Sequence, residues 1–351
     1  MKILFVSSPQ SVYGNKTNPF VSSLIEGLKE YGNITIDCDL DSFWNNYTSY
    51  DLIYFQWPER IFNWNTEAID IKKLSHHFDL IKKNQIKTVI TCHNLLPHNG
   101  NPKVMQLYDL VYSKVDAFHH LGKYSYQLMR LKYPNSYHFI APHHVPNSYF
   151  DLYKSPHAKS KLSISEKEIV IASFGAFRNN DEKKLFLTMV DDTRDLHTRY
   201  LAPRLKIYDK TYTNWLFSYL KEIFFCHSKK IKTSGFLEEE KLKKWLSAAD
   251  IVFIQRKDIL NSGNLPLAFA AGKIVIGPNI GNVGEILKET GNFVFDPNDR
   301  QSIKNAVMKA IYSINNGDDI GYSNHLYAKK QWNVPRISKI IFDNIHQLMH
   351  D

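Results

Sequence analysis

A chain of 351 residues is long enough for two domains, and 43% hydrophobic with 13% aromatic content supplies ordinary packed cores. No apolar run reaches the roughly 18 residues of a transmembrane helix. The net charge of +9, carried mostly by the second half, suits anionic partners such as nucleic acid, anionic lipid or phosphorylated substrates. The apolar start at Ile3–Val6 is too short for a signal peptide and runs into a polar loop. Cys38, Cys92 and Cys226 lack disulfide or metal spacing, which fits a reducing cytoplasm.

Strand and helix signals alternate along the chain. Lys2–Ser7 reads as a strand, a helix opens at Asn18-Pro19-Phe20 and stops at Gly32, and Ile34–Asp37 is β-like. Tyr50–Trp57 is a buried strand ended by Pro58. A helix over about 69–83 places Ile71, Leu74, Phe78 and Ile81 on one face. Strands at Lys87–Cys92, Ala117–His120 and Tyr137–Ala141 alternate with helices near 102–113 and 125–132. Residues 149–163 are polar and unpatterned and read as an interdomain connection. A second series follows, with strands at Glu168–Phe174, Leu205–Tyr208, Lys230–Ser234, Asp250–Gln255, Lys273–Gly277 and Phe293–Phe295. Its helices lie at Lys183–Asp192 and Glu238–Ala249, then after a cap at Asp299, and last from Pro335 to Met349. This alternation predicts an α/β protein with two parallel-sheet domains, whose ligands bind beyond the carboxyl ends of strands.

Three stretches of the second half carry chemistry. Gly175-Ala176-Phe177-Arg178 follows a strand, with Lys183 five residues on, and two cations placed there suit an anionic ligand. Asn261-Ser262-Gly263-Asn264 follows the strand at 250–255 and opens a short apolar helix, so the N–H groups of Ser262, Gly263 and Asn264 are expected to face a phosphate. Gln255 and Asp258 flank the same loop and are further candidate polar contacts to a ligand there. The third stretch is Gly281-Asn282-Val283-Gly284-Glu285-Ile286.

In the first half, Gln56-Trp57-Pro58-Glu59 and Thr91-Cys92-His93-Asn94 each end a strand. The His93 imidazole has proton-transfer chemistry near neutral pH, and Glu59 is the carboxylate best placed for general-base work or, where a second substrate binds, for holding it. Gly14 and Asn15 open a polar loop after the first strand that suits a phosphate. The pairs His76-His77, His119-His120 and His143-His144 lack accompanying carboxylate or cysteine spacing, and adjacent strand residues point to opposite faces, so no metal site is expected. Between 203 and 232, aromatic residues interleave with lysines; an amphipathic helix with its apolar side in the core accounts for this, and so does contact with a membrane surface.

The run of Gly-x-x-Arg-x4-Lys at 175–183, Ser234-Gly235-Phe236, the helix end at Leu242–Asp250, Ala-Ala-Gly-Lys at 270–273 and Gly281–Ile286 resembles the donor-binding domain of GT-B glycosyltransferases, especially glycosyltransferase family 4 and its relatives. The resemblance covers about 165–300, and Trp332 before the last helix matches the family's closing element. It implies two Rossmann-like parallel-sheet domains facing a central cleft: an acceptor domain over 1–155, a nucleotide-sugar domain over 156–334, and a helix over 335–351 crossing back. It further implies transfer of a sugar from a nucleoside diphosphate sugar to a saccharide or lipid-linked acceptor in bacterial surface polysaccharide synthesis, without metal, cofactor or nucleic acid. The protein would be cytoplasmic, with peripheral membrane contact allowed. Arg178 and Lys183 would hold the diphosphate, and His93 would lie near the donor sugar. The family's Glu-x7-Glu pair falls on Ile259 and Leu267, both apolar, leaving a Ser-Gly variant. That departure leaves the stereochemistry open and also admits a catalytically degenerate nucleotide-sugar-binding or scaffold protein.

Overall fold

The computed structural model describes residues 1–13, 19–97, 100–207 and 215–350, with the backbone alone at 215–219. The chain forms two compact units, residues 1–146 with 331–351, and residues 147–330.

The first unit runs β1 (Lys2–Phe5), α1 (Pro9–Tyr13), α2 (Pro19–Lys29), β2 (Thr35–Cys38), α3 (Leu40–Asn45), β3 (Leu52–Phe55), α4 (Ile71–Lys83), β4 (Lys87–Cys92), α5 (Pro102–Lys114), β5 (Ala117–His120), α6 (Lys123–Lys132) and β6 (Tyr137–Ile140). Its sheet is parallel, in the order β2-β1-β3-β4-β5-β6. Strands buried on both faces need apolar residues at every position, and Leu52, Ile53, Tyr54 and Phe55 are all fully buried. The strand order reverses between β1 and β3, so the loops leaving those two strands diverge and leave a crevice.

The second unit runs β7 (Ile169–Ala172), α7 (Asn180–Thr193), β8 (Thr198–Leu201), α8 (Trp215–Ser228), β9 (Ile231–Lys232), α9 (Glu239–Ala248), β10 (Ile251–Phe253), α10 (Asn264–Ala270), β11 (Ile274–Pro278), α11 (Gly281–Glu289), β12 (Phe293–Phe295), α12 (Arg300–Asn315) and α13 (Ile320–Gln331). Its parallel sheet has the order β12-β11-β10-β7-β8-β9, the doubly wound nucleotide-binding order, with the reversal between β7 and β10.

The closing helix, α14 (Val334–His350), buries Ile337, Ile341, Ile345 and Leu348 in the core of the first unit. It lies against α2, where Gly27 admits the close approach: a Cβ there would stand 2.2 Å from Ser338 Oγ and 2.6 Å from Val334 Cγ1. Tyr31 donates to the Pro335 carbonyl (2.7 Å) and Tyr137 to Asn344 Oδ1 (2.7 Å). Trp332 is buried just before α14, and its carbonyl accepts from Val145 N–H at 2.8 Å.

Two expectations fail locally. The strand expected at Leu205–Tyr208 is instead β8 at Thr198–Leu201, seven residues earlier. Pro203 has no N–H for the ladder, and the chain turns there with Leu205 N–H on the Ala202 carbonyl; Leu205 is buried by packing rather than by pairing, and Tyr208 lies outside the described residues. The stretch 149–163, expected as an unpatterned connection, is folded into the second unit as helical turns at Asn147–Leu152 and Ser160–Leu162. Tyr149 and Leu162 are buried, and Tyr153 stacks on His325 at 4.4 Å.

Candidate functional site

The reversal point of the second unit brings the loops after β7 and β10 side by side. Asn179 caps α7 by accepting from Glu182 N–H (2.9 Å), and the Glu182 carboxylate turns back to accept from Arg178 N–H (2.8 Å), a capping box reaching one residue further out than usual. Glu182 is only 3% exposed. Arg256, from the loop after β10, donates to that same carboxylate and to the Ala176 carbonyl. Arg178 Nε lies 3.7 Å from Glu182 Oε1, its side chain one-third exposed. One buried carboxylate thus anchors two guanidinium groups. Burial first, and then the charge of Arg178, bring the Arg256 pKa down to about 10. Lys183, in the first turn of α7, is half-buried and pairs with no carboxylate among the described residues.

Gln255 is 1% exposed. Its Oε1 accepts from Ser173 Oγ and its Nε2 donates to the Gly175 carbonyl (3.0 Å), so it ties the end of β10 to the loop that carries Arg178. Ser262 and Asn264 are half-buried and Gly263 is exposed. No side chain caps α10 at Gly263; Leu265 N–H bonds the Ser262 carbonyl (3.3 Å) and Pro266 has no N–H, and Gly263 has right-handed helical backbone (φ −64°), so glycine is not required there for its conformation. The glycine that is required is Gly281: its φ is +60°, and a Cβ would stand 2.5 Å from the Ile259 carbonyl oxygen. That contact, the Asn282 N–H bond to the Leu260 carbonyl (3.0 Å) and the Asn282–Asn261 side-chain bond (2.8 Å) pin the 259–261 loop against the start of α11. Ile259, one of the two positions where the resemblance places a carboxylate, is buried.

At the reversal point of the first unit, Gln56 and His93 leave the ends of β3 and β4. His93 Nε2 lies 3.0 Å from Gln56 Oε1, and its ring stacks on Trp57 at 4.1 Å. Gln56 Oε1 can only accept, so Nε2 carries the proton. Burial, helped by nearby His143, His119 and Arg60, holds the His93 pKa well below the ordinary imidazole value. Glu59 accepts from the Tyr108 hydroxyl at 3.1 and 3.2 Å, and burial raises its pKa. Arg60 lies over the Trp57 ring (5.1 Å) and donates to Ser7 Oγ at the end of β1. Gly14 and Asn15 lie outside the described residues.

His119, His120 and His144 are held in place inside the first unit. His119 donates from Nε2 to the Ala141 carbonyl (2.7 Å), so Nδ1 accepts from Tyr54 (2.7 Å); His144 meets Ser23 Oγ (2.8 Å), and His120 meets His138 (2.9 Å). Burial lowers the pKa of His119 and His143 to about 4 and of His120 and His144 to about 3. Among the described residues, no three His, Cys, Asp or Glu side chains are placed to share a metal ion. The described side chains of α8 are mixed: Cys226 is buried, while Leu220, Ile223 and Phe224 are exposed. No described helix is long and apolar enough to cross a membrane.

Neither Arg256 nor Glu182 stands out in the sequence, because residues 74 apart meet only through the strand order. Arg60 and Tyr108 were likewise unmarked; an Arg two residues after a strand-ending Trp-Pro was the one signal available.

No family model and no curated protein matches the sequence. Solved structures do match. Sucrose-phosphate synthase from Thermosynechococcus elongatus is similar with a TM-score of 0.74 at 13% identity over 99% of both chains. HepE of Anabaena in complex with UDP gives 0.69 at 14% over 99% of this chain and 100% of that one, and its complex with UDP-glucose gives 0.67 at 14% over the same shares. A glycosyltransferase from Rickettsia africae gives 0.67 at 12% over 100% of this chain and 98% of that one. At such identities the likeness is one of fold: the chain has the GT-B fold, with two Rossmann-like parallel-sheet units.

Proposed function

We propose that the chain is a glycosyltransferase related to glycosyltransferase family 4, moving a hexosyl group from a nucleoside diphosphate sugar to a hydroxyl of a glycan or lipid-linked saccharide in bacterial surface polysaccharide synthesis, on the cytoplasmic side. The observation that carries this reading is the cationic group at the β7/β10 reversal, where Arg178 and Arg256 share Glu182 at the start of α7. Fixed cations and backbone N–H groups suit the charge that grows on a leaving diphosphate, and because they are already in place they need no reorganisation during reaction. In the reaction the sugar C1–O bond to the diphosphate breaks, a C1–O bond to the acceptor forms, and the acceptor proton passes to a base.

Arg178, Lys183 and the N–H groups of Ser262–Asn264 are assigned to the diphosphate, and Gln255 to positioning the 173–175 loop. His93 is neutral at physiological pH and is assigned to hydrogen bonding with the sugar. Glu59 is assigned to the acceptor hydroxyl; its raised pKa strengthens it as a base. Gly14 and Asn15 remain proposed phosphate contacts. The protein's own cations supply the phosphate charge balance, so neither metal nor cofactor enters this mechanism. HepE's complexes with UDP and UDP-glucose make uridine the first base to try.

A binding or scaffold role is the second reading, favoured by apolar Ile259 and Leu267 where the family has carboxylates. Single-turnover assay with radiolabelled UDP-sugars and an acceptor extract separates the two. Sugar transfer supports the transferase; binding with neither transfer nor donor hydrolysis supports the scaffold.

A further inference from the structure

The β1/β3 reversal holds a cation, Arg60, that meets no carboxylate among the described residues. Arg60 is adjacent to Glu59 in sequence, yet Glu59 is engaged by Tyr108, and no carboxylate lies within ion-pair distance of Arg60 among the described residues. Its Nε is buried without a hydrogen-bond partner, and so is Nε2 of Gln56, a residue 2% exposed. Two orphaned buried donors within one loop are costly, and such groups call for an acceptor.

The same turn carries a second oddity. Asn63 and Trp64 both have left-handed backbone (φ 49° and 63°), a conformation bulky residues seldom adopt. Backbone bonds from Asn63 to Arg60 (2.9 Å) and from Trp64 to Glu59 (3.0 Å) hold the turn. Its effect is to leave Trp64 half exposed, 6.2 Å from Trp57, whose ring carries the Arg60 guanidinium on one side of its contacts and His93 on another. An open indole gives the apolar CH face of a sugar a surface to stack on, and a guanidinium binds a phosphate or carboxylate through two parallel hydrogen bonds.

We infer that the turn at 57–64 is a subsite for an anionic saccharide, with Trp64 under the sugar ring and Arg60 on its phosphate or carboxylate. The inference rests on the transferase reading, which makes this saccharide the acceptor.

The test is calorimetric titration of the full chain with glucose, glucose 6-phosphate, glucuronate and inorganic phosphate at millimolar concentrations, with UDP, GDP and ADP titrated into the same preparation. An anionic sugar is expected to bind about tenfold or more tightly than glucose and than free phosphate. Arg60→Gln should erase the difference between charged and neutral sugar. Trp64→Asn, which suits the left-handed backbone and is chosen to preserve the fold, should weaken all sugars while sparing UDP. Glucose 6-phosphate and glucuronate tell phosphate from carboxylate. Equal binding of neutral and anionic sugars, no sugar binding, phosphate binding as well as its sugar ester, or competition between UDP and the sugar for Arg60 would each overturn the inference. UDP binding without sugar binding refutes the subsite alone; sugar binding when UDP, GDP and ADP all fail to bind refutes the donor reading instead.

Discussion

The two reversal points are built on the same plan and charged differently. In the second unit, the cations Arg178 and Arg256 are locked by Glu182, and the helix cap, the arginines and the β10 loop share that single buried carboxylate. In the first unit, Arg60 meets no carboxylate among the described residues, the histidines around it are held neutral, and its sequence neighbour Glu59 is engaged by Tyr108. A site whose cations are internally braced presents the same geometry whether empty or full, which suits stabilising a charge that appears only in the transition state. A cation held, among the described residues, only by a hydroxyl and an aromatic ring keeps its charge available for an anionic ligand.

The sharpest way to break this comparison is Glu182→Ala. Removing one partner of a buried pair leaves uncompensated charge, so a loss of about 3–5 kcal/mol in stability is expected, with the β7/β10 loops of the second unit losing amide protection first. Hydrogen exchange that left residues 173–180 as protected as in the unmutated chain would show that Glu182 anchors nothing. Arg178→Ala comes next: turnover should fall about 10²–10³-fold, close to 3–4 kcal/mol, with little change in melting temperature. An unaltered single-turnover rate would remove Arg178 from the chemistry. In the first unit, Gly27→Ala pushes a methyl into Ser338 and Val334 and should cost about 1–3 kcal/mol in chemical denaturation; no loss would mean that α14 is not seated on α2 as described.

The most gradual effect is acidification. His119, His120, His143 and His144 have folded pKa values of about 3–4, below the ordinary value of about 6.5. Between those limits the unfolded chain binds more protons than the folded one, so their contribution is complete above about pH 6.5 and is lost as pH falls toward 4. Each 1 kcal/mol lost lowers Tm by about 2–4 °C for units of this size. A Tm flat from pH 7 to pH 4.5 would show that these imidazoles take up protons without resistance.

Much of this architecture is readable from the chain. Lys87–Cys92, Ala117–His120 and Phe293–Phe295 stand out as short runs rich in β-branched or aromatic residues between helical stretches, and Asp299 announces α12 because a helix start needs a side-chain acceptor. Arg178 and His93 are visible because each ends a strand-to-loop passage. What stays hidden is contact across the sheet order. Glu182 reads as a surface charge on a helix and Arg256 as a loop cation until β7 and β10 become neighbours. β8 is hidden by Arg199 at its centre, while Leu205-Lys206-Ile207 mimics a strand just past Pro203.

The most direct test of the account is thermal-shift titration of the purified chain with UDP, GDP, ADP and CMP, repeated on Arg178→Ala. The account predicts saturable stabilisation by one nucleoside diphosphate, at least tenfold weaker in the variant. No stabilisation by any of them at millimolar concentration, or stabilisation indifferent to Arg178, would contradict the assignment of a donor site at the β7/β10 reversal.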